Sequence, residues 1–384
     1  MSLITATLPM AQPPRLGRRL ATLWLGFWLM AGHGLLSAAD PTAEQQYMLE
    51  LMNRFRSDPQ NELSRWVNFA SPGVWDSPKS DDAYIASALN YFGTSASELA
   101  AQFASLSVAP PLAWSSALNV SAGNYSNLMV TNDQQSHTLD GLAIEQRILN
   151  GGYSSNWLLV GENLFANTQS ITHGHAGFVI DWGDGNGSDP GYGNGIQNPA
   201  GHRELLLDSH IKEVGIGFQS ILIPGGNTGV TGPYVTTQHF ATQYRTDGSN
   251  YFADAILTGS IYQDTIAADL FYTPGEGIAG VAVNVYEDVS GILVASGFSN
   301  SAGGYDIALT GLTDGVVYRV EAPDTGLAAQ TFTLNAHSEF YGVPVTFYDN
   351  VQASFMVVPE PGGLLLCLAA ALHLLAMRSR RHSC

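Results

Sequence analysis

Three short motifs carry the side chains best suited to chemistry. They are Ser136-His137-Thr138, Gly161-Glu162-Asn163 and Gly201-His202-Arg203. Two neutral imidazoles and a carboxylate are a ligand set for Zn²⁺ that leaves one position open for water. The same groups also suit a general base and its orienting partner beside a bound substrate. We therefore take His137, Glu162 and His202 as candidate site residues, with zinc as the candidate metal.

Further metal ligands are candidates between residues 173 and 195. The side chains of His173 and His175 would point to the same side if this segment were extended. The following AGFVIDW instead favours a helix. Asp181 and Asp184 are additional carboxylates in the same stretch. Oxygen-bearing residues then alternate with glycines in a loop that suits Ca²⁺ or forms a solvated turn: Asp184, Asn186 and Asp189. The loop is no EF-hand, because its twelfth position is glycine.

The usual nucleophile signatures are missing from the sequence. It contains no G-x-S-x-G and no H-E-x-x-H motif. Both cysteines, Cys367 and Cys384, lie in the last 18 residues. The body of the protein therefore has no thiol nucleophile, no disulfide and no cysteine-zinc site.

The elements that must position these residues change in character near residue 250. Helical patterns cover residues 42–66, 80–91, 95–105 and 115–131, and strand-like runs follow at 214–222 and 234–242. They predict helices stacked on an antiparallel sheet. From residue 255 short β-rich runs predict a small all-β sandwich of about 100 residues. The polar junction at 245–250 predicts few apolar contacts between the two domains.

The charge distribution excludes one class of partner. The chain has 15 basic and 33 acidic residues, a net charge of −18. Residues 40–356 hold nine of the bases and 32 of the acids, a net charge of −23. Such a body repels phosphate backbones, so no nucleic-acid partner is expected.

The N-terminal segment has the pattern of a targeting signal. Three arginines precede the apolar run at 20–36, and Ser37-Ala38-Ala39 offers small residues for cleavage. Residues 1–39 are therefore predicted to be a secretory signal peptide. An uncleaved membrane anchor is the alternative, because the run approaches the ~20 residues that span a bilayer.

The C-terminal segment, residues 357–384, combines three features in order. Pro359-Glu360-Pro361 precedes an apolar run at 362–377, predicted to be a transmembrane segment, and a terminal arginine cluster. This order resembles the PEP-CTERM sorting signal of Gram-negative bacteria. The resemblance implies an exosortase-type enzyme as partner, transient residence in the inner membrane and release to the cell surface or extracellular matrix. An ordinary tail anchor is the alternative.

The three candidate motifs belong to a longer ordered set over about 200 residues: MLELMNRFR, Leu112-Ala113-Trp114, SHTLDG, GGY, GEN, GHRELLLD, VGIGF and YVTTQHFA. This order resembles the CAP superfamily of cysteine-rich secretory, antigen 5 and pathogenesis-related proteins, in its bacterial SCP-like form. The resemblance implies an α-β-α sandwich with a His/Glu cleft, and His137, Glu162 and His202 fall on matching positions. The fourth family position has no direct match, because Asp181 and Asp184 flank Trp182 and Gly183.

The second domain resembles the B-type repeats of bacterial surface adhesins. The resemblance rests on Gly259-Ser-Ile-Tyr262-Gln-Asp264, the run from Asp269 to Val283 and Gly303-Gly304-Tyr305. Three oxygen donors remain where calcium-binding members carry a denser run: Asp264, Asp269 and Glu276. We expect a β-sandwich spacer, with calcium as a second possibility.

Together these features predict an α+β protein: a CAP-like head at 40–250 followed by an all-β sandwich at 251–356. Three functions stay open. The head binds an extracellular lipid or polysaccharide in a His/Glu cleft, or it is a metal-dependent hydrolase at the same cleft, or the protein is a structural matrix component. Neither the ligand nor the oligomeric state follows from the sequence.

Overall fold

The computed structural model describes residues 3–6, 40–71, 74–78, 82–183, 193–221, 229–337, 340 and 344–358. The predicted transmembrane run and most of the predicted signal peptide lie outside this range, as do Asp184, Asn186 and Asp189. Within the described segments, no helix combines the length and apolar character needed to cross a bilayer.

Eight helices are seen in the described part of the chain: α1 (Ala43–Ser57), α2 (Pro59–Glu62), α3 (Ala83–Phe92), α4 (Ala96–Ala104), α5 (Ser116–Asn132), α6 (Ile144–Asn150), α7 (Ile171–Ile180) and α8 (Gly201–Leu207). The first begins at a capping box, in which Thr42 and Gln45 bond to each other's backbone N–H. The helices predicted at 80–91, 95–105 and 115–131 are confirmed as α3, α4 and α5. The one predicted at 42–66 is shorter, because Asp58-Pro59 ends α1.

The head is built on one five-stranded sheet in the order β1-β5-β7-β6-β4. Its strands are β1 (Leu3–Ala6), β4 (Ala113–Trp114), β5 (Trp157–Thr168), β6 (Glu213–Ser220) and β7 (Tyr234–Gln243). The neighbours β5, β7 and β6 are antiparallel, and β4 runs parallel to β6. A separate hairpin joins β2 (Val67–Ser71) and β3 (Val74–Pro78). The antiparallel pair predicted at 214–222 and 234–242 is thus confirmed as β6 and β7.

Alternation along the central strands decides which residues share a face of this sheet. Glu162 of β5 lies opposite His239 of β7, and the next pair is Asn163 with Gln238. Successive side chains of a strand point to opposite faces. The first pair faces α5, where His239 bonds to a serine, and the second faces α1, where Gln238 contacts Met52. Helices therefore cover both faces, and the predicted α-β-α layering is confirmed.

Two glycines of β6 let α5 lie directly on the sheet. A Cβ atom at Gly215 would lie 2.0 Å from the backbone nitrogen of Asn119, and one at Gly217 would lie 2.3 Å from the carbonyl oxygen of Ala122. Asn119 and Ala122 both belong to α5. Because a real Cβ cannot approach backbone so closely, glycine at both positions fixes the distance between helix and sheet.

The second domain packs two four-stranded sheets over an apolar core. One sheet has the order β13-β10-β18 with β19 also paired to β10, and the other has the order β12-β11-β14-β15. The strands are β10 (Ile256–Gln263), β11 (Ala282–Glu287), β12 (Leu293–Phe298), β13 (Gly304–Ala308), β14 (Val317–Glu321), β15 (Gln330–Thr333), β18 (Val351–Gln352) and β19 (Phe355–Val357). The β-rich runs of this region are therefore strands, as the sequence predicts.

The contact between the domains is more apolar than the polar junction suggested. A third sheet, β16-β17-β9-β8, spans the junction with β8 (Arg245–Asp247), β9 (Asn250–Ala253), β16 (Ala336–His337) and β17 (Val345–Tyr348). It brings Ala253, Phe340, Val345 and Phe347 into the same buried cluster as the core of the head. The expectation of few apolar contacts is wrong, because Phe340, Val345 and Phe347, which are distant from the junction in sequence, pack into this cluster.

Candidate functional site

A buried carboxylate, Glu162, lies at the centre of a polar network on the α5 face of the head sheet. Its Oε1 accepts from His137 Nδ1 at 2.6 Å. Its Oε2 accepts from His239 Nε2 at 2.7 Å and from an Arg147 guanidinium nitrogen at 2.8 Å. Glu162 and His239 are fully buried, whereas the side chain of His137 is 22% exposed. The network therefore reaches solvent through His137.

The partners of Glu162 keep it ionised despite its burial. Removal from water raises a carboxyl pKa. Hydrogen bonds from His137 and His239 and the charge of Arg147 outweigh this effect and lower the pKa of Glu162 to about 2. At neutral pH the carboxylate carries its charge and can only accept hydrogen bonds.

Arg147 is held in place from several sides. Its guanidinium pairs with Asp140 at 2.9 Å, bonds to the carbonyl of Leu142 at 3.0 Å and lies 3.9 Å above the ring centre of Tyr125. It also donates to the carbonyl of His137. Since a buried cation needs such partners, this arrangement fixes Arg147 between Asp140 and Glu162. The Arg147 guanidinium thus bonds both to the backbone carbonyl of His137 and to Glu162, the carboxylate that His137 contacts.

A cavity of about 240 Å³ adjoins this network. Its lining comes from α5, α6 and the loop between them: Ser121, Asn124, Tyr125, Leu128, Asp140, Leu142, Arg147 and Asn150. The wall therefore mixes amide, hydroxyl, carboxylate and guanidinium groups with an aromatic ring and two leucines. Such a mixture of convergent polar groups and apolar surface is typical of small-molecule sites.

His202 lies on the other face of the sheet. Its Nδ1 bonds to Asp181 Oδ1 at 2.7 Å, and its backbone N–H donates to Asp181 Oδ2 at 2.9 Å. Its carbonyl accepts from Asn163 Nδ2 at 3.3 Å, and Asn163 follows Glu162 along β5. Because neighbours on a strand face opposite ways, Asn163 and Glu162 point to opposite faces of the sheet, and the backbone of His202 lies on the Asn163 face. The described hydrogen bonds of His202 go to Asp181 and Asn163, and the grouping of the two histidines with Glu162 in one site stays a prediction.

The predicted zinc set does not fit this arrangement. A tetrahedral site needs its ligands around one point, about 2 Å from the metal. His137 pairs with Glu162, whereas His202 pairs with Asp181. Across the described ranges no group of three metal-ligating side chains is found.

His175 serves packing and not the cleft. It lies on helix α7 with His173, so the two imidazoles do not share a side as in a strand. His175 Nε2 is 3.2 Å from Glu62 Oε1, and its ring packs edge-on against Trp66. It is fully buried, and burial lowers its pKa. Its role as a secondary metal ligand is not supported, because its surroundings are the core of the head.

The three carboxylates of the second domain hold a loop together by accepting from backbone. Glu276 Oε1 accepts from the N–H groups of Thr265 and Ile266 at 2.9 and 2.7 Å. Asp264 accepts from the N–H of Asp269 at 3.2 Å, and Asp269 accepts from that of Phe271 at 3.0 Å. In the described structure these oxygens accept from backbone donors of the loop, and calcium binding here stays a prediction from the sequence.

Sequence reasoning missed His239 and Ser121 as members of the network. His239 Nδ1 is 2.9 Å from Ser121 Oγ. His239 lies in the YVTTQHFA motif, but that motif does not show what His239 contacts. Only the register of β5 on β7 places it opposite Glu162. Ser121 lies inside a helix with no local motif, and only the glycine-mediated contact of α5 with the sheet brings it to His239.

Comparison with known proteins identifies the head. A family model described as CAP, the cysteine-rich secretory protein family, matches residues 49–240. A search of curated proteins finds no match.

Among solved structures, an extracellular protein containing an SCP domain from Bacillus anthracis is 22% identical, with a TM-score of 0.25, over 35% of this chain and 34% of that one. The plantain pollen allergen Pla l 1 is 17% identical, with a TM-score of 0.18, over 29% of this chain and 99% of the allergen. The chain thus spans about a third of the first of these structures. TM-scores of this size support no inference about the present chain.

Proposed function

Because the chain belongs to the CAP, or cysteine-rich secretory protein, family, we propose that its head binds an extracellular saccharide. The binding site is the cavity of about 240 Å³ beside the Glu162 network. This size is below the ~300 to 1,000 Å³ of pockets that enclose a whole small molecule. It suits one unit of a longer chain, with the rest of the chain lying outside the cavity.

The observation that carries this proposal is the fixed hydrogen-bonding wall of the cavity. Arg147 and Asp140 are locked together by two-pronged contacts, and Tyr125 is locked by a 2.6 Å hydrogen bond from its hydroxyl to the carbonyl of Ser136. Asn124 and Asn150 add amide groups. Polar groups that are already oriented lose little entropy when they bind a hydroxyl-rich ligand.

The charge of the protein favours a saccharide over a lipid surface. The segment 40–356 has a net charge of −23. Anionic membrane surfaces attract basic segments and repel acidic ones. An uncharged or weakly charged polysaccharide meets no such barrier.

The test measures binding of the full chain to immobilised neutral and acidic polysaccharides and, in parallel, to phosphatidylglycerol vesicles. Asn124→Trp fills the cavity from an exposed position on α5, and Asn127→Trp places the same ring one turn along, at an exposed residue outside the cavity lining. We expect wild type and Asn127→Trp to bind at least one polysaccharide, and Asn124→Trp to bind it at least about tenfold more weakly. Vesicle binding, no polysaccharide binding, or equal binding by both variants would contradict the proposal.

We also propose that the protein reaches the outside of the cell by its terminal signals, with an exosortase-type enzyme as the partner of the Pro359-Glu360-Pro361 tail. The support is the order of the three tail features and the membership of the head in a family of secretory proteins. Intact-mass analysis of the surface protein from its native host should show a chain that lacks the apolar run at 362–377. A mass that includes the terminal arginines in all of the surface protein contradicts this.

A further inference from the structure

Ser121, His239 and Glu162 form a continuous hydrogen-bonded chain that saccharide binding does not require. Ser121 Oγ is 2.9 Å from His239 Nδ1, and His239 Nε2 is 2.7 Å from Glu162 Oε2. Three elements supply one residue each: α5, β7 and β5. A hydroxyl, an imidazole and a carboxylate in this order are the parts of an activated serine nucleophile.

The ionised carboxylate sets the direction of each hydrogen bond. Glu162 can only accept, so His239 donates to it from Nε2. In the neutral imidazole Nδ1 then carries the lone pair, and the Ser121 hydroxyl donates to it. His239 is therefore oriented to remove the proton of Ser121.

Ser121 also reaches the space where a substrate would lie. It contributes to the wall of the 240 Å³ cavity, together with Asn124 one turn further along α5 and Asn150 at the end of α6. The amide groups of these two asparagines supply N–H donors on the same wall. Donors of this kind stabilise the oxyanion of an acyl-transfer reaction.

We propose that Ser121 is the nucleophile of a metal-free acyl-transfer site for small esters, with His239 as general base and Glu162 as the residue that positions it. Ser121 Oγ bonds to the ester carbonyl carbon while its proton passes to His239 Nδ1. The tetrahedral intermediate then breaks its bond to the alcohol oxygen, which takes that proton from His239 and leaves. Water, deprotonated by His239, next attacks the acyl-Ser121 ester; Ser121 Oγ leaves with the proton returned from His239 Nδ1, which releases a carboxylic acid and the free serine.

The size of the cavity limits the acyl group. About 240 Å³ admits a short acyl group such as acetyl with its carbonyl beside Ser121, but no long fatty chain. The substrate class is therefore a short-chain acyl ester. This activity goes beyond ligand binding, and its absence would leave the proposed saccharide site unaffected.

The experiment uses the full chain with two probes, p-nitrophenyl acetate and diisopropyl fluorophosphate. Wild type should hydrolyse the acetate ester and gain one phosphoryl adduct, which peptide mass spectrometry places on Ser121. Ser121→Ala should lose the adduct and at least about 100-fold of the hydrolysis rate. Ser126→Ala is the matched control on the same helix, since Ser126 is buried and bonds to Gly217 and Thr237. It should keep both properties.

Two further variants keep the test decisive if Ser121→Ala is poorly folded. Ser121→Cys preserves a nucleophile of similar size and should react with iodoacetamide faster than an unactivated thiol. Glu162→Gln should lower the rate and change its dependence on pH, which a purely structural residue would not do. An adduct on another residue, no adduct on folded wild type, or equal rates for Ser121→Ala and Ser126→Ala would overturn the proposal.

Discussion

At the scale of single residues, Glu162 replaces the metal that the sequence suggested as the centre of the site. It gathers His137, His239 and Arg147 around one carboxylate with bonds of 2.6 to 2.8 Å. A buried anion with three hydrogen-bond donors is stabilised by the protein in place of water. A neutral group at this position would leave the buried positive charge of Arg147 with one negative partner fewer. The ionisation of Glu162 should therefore contribute to folding.

The first prediction concerns this ionisation. The pKa of Glu162 is about 2 in the folded protein, below its ordinary value of 4.5. A lowered pKa stabilises the fold above pH 4.5, and that contribution disappears as the pH falls towards 2. The difference corresponds to roughly 3 kcal/mol. Urea unfolding from pH 7 to pH 2.5 should show a smaller loss of stability for Glu162→Gln than for wild type.

The control for that series is Glu98→Gln, at an exposed position on α4. It removes one carboxylate without touching the network and should follow the wild-type profile. If Glu162→Gln loses as much stability between pH 5 and pH 2.5 as wild type does, the assigned ionisation of Glu162 is wrong.

A second prediction separates His202 from the network. Removal of its imidazole leaves Asp181 buried with one donor fewer, which costs about 1 to 3 kcal/mol. His202→Ala should therefore lower the free energy of unfolding but leave polysaccharide binding by the folded fraction unchanged. Binding measured at a temperature well below the midpoint of unfolding checks this. A loss of binding comparable to that of Asn124→Trp would place His202 in the site.

At the scale of elements, the contact of α5 with β6 brings the buried residues Ser121 and Tyr125 to the sheet. The contact depends on glycine at 215 and 217, where any Cβ would collide with the helix backbone. A backbone collision cannot be relieved by a rotamer change, so the helix would have to move. Such a shift would separate Ser121 from His239.

The third prediction compares two glycine substitutions near this contact. Gly215→Ala should destabilise the protein by roughly 3 kcal/mol or more, because its Cβ would lie 2.0 Å from Asn119 N. Gly123→Ala, within α5 and with no atom within 4 Å of the new Cβ, should stabilise it by about 0.5 to 1 kcal/mol. Denaturant unfolding of both variants measures the difference. Similar stabilities for the two variants would refute the close packing of α5 on β6.

The helices and the β6–β7 pair follow from local sequence, because their apolar spacing and turns are regular. Strand β5 does not follow from local sequence, since WLLVGENLFANT is almost continuously buried and shows no alternation. The motifs identified Glu162 and His137 but could not pair Glu162 with His239, because register is set by long-range contacts.

At the scale of the whole molecule, the second domain supplies part of the core of the head. Phe347 is 3% exposed and lies in the cluster that also holds residues of α1 and β6. Asn350 donates to the carbonyls of Pro111 and Lys212 across the same boundary. A spacer with few contacts would leave the head unaffected by changes in the sandwich, but this interface couples them.

The fourth prediction tests that coupling. Phe347→Ala should cost about 3 to 5 kcal/mol and lower the melting temperature of the head as well as that of the sandwich. Phe332→Ala, which removes a ring stacked on Tyr318 within the sandwich, should affect the sandwich alone. Calorimetry with tryptophan fluorescence as a reporter of the head distinguishes the two. A head transition unchanged by Phe347→Ala would contradict a shared core.

The most direct test of the Glu162 network is a long-range ¹H–¹⁵N correlation spectrum of the imidazoles in the full chain at pH 7, recorded before and after addition of Zn²⁺. Assignment uses His137→Gln and His239→Gln. We expect His137 to carry its proton on Nδ1 and His239 to carry its proton on Nε2, and we expect zinc to shift neither set of signals. A proton on His239 Nδ1, or a zinc-induced shift of His137 and His202 together, would contradict it.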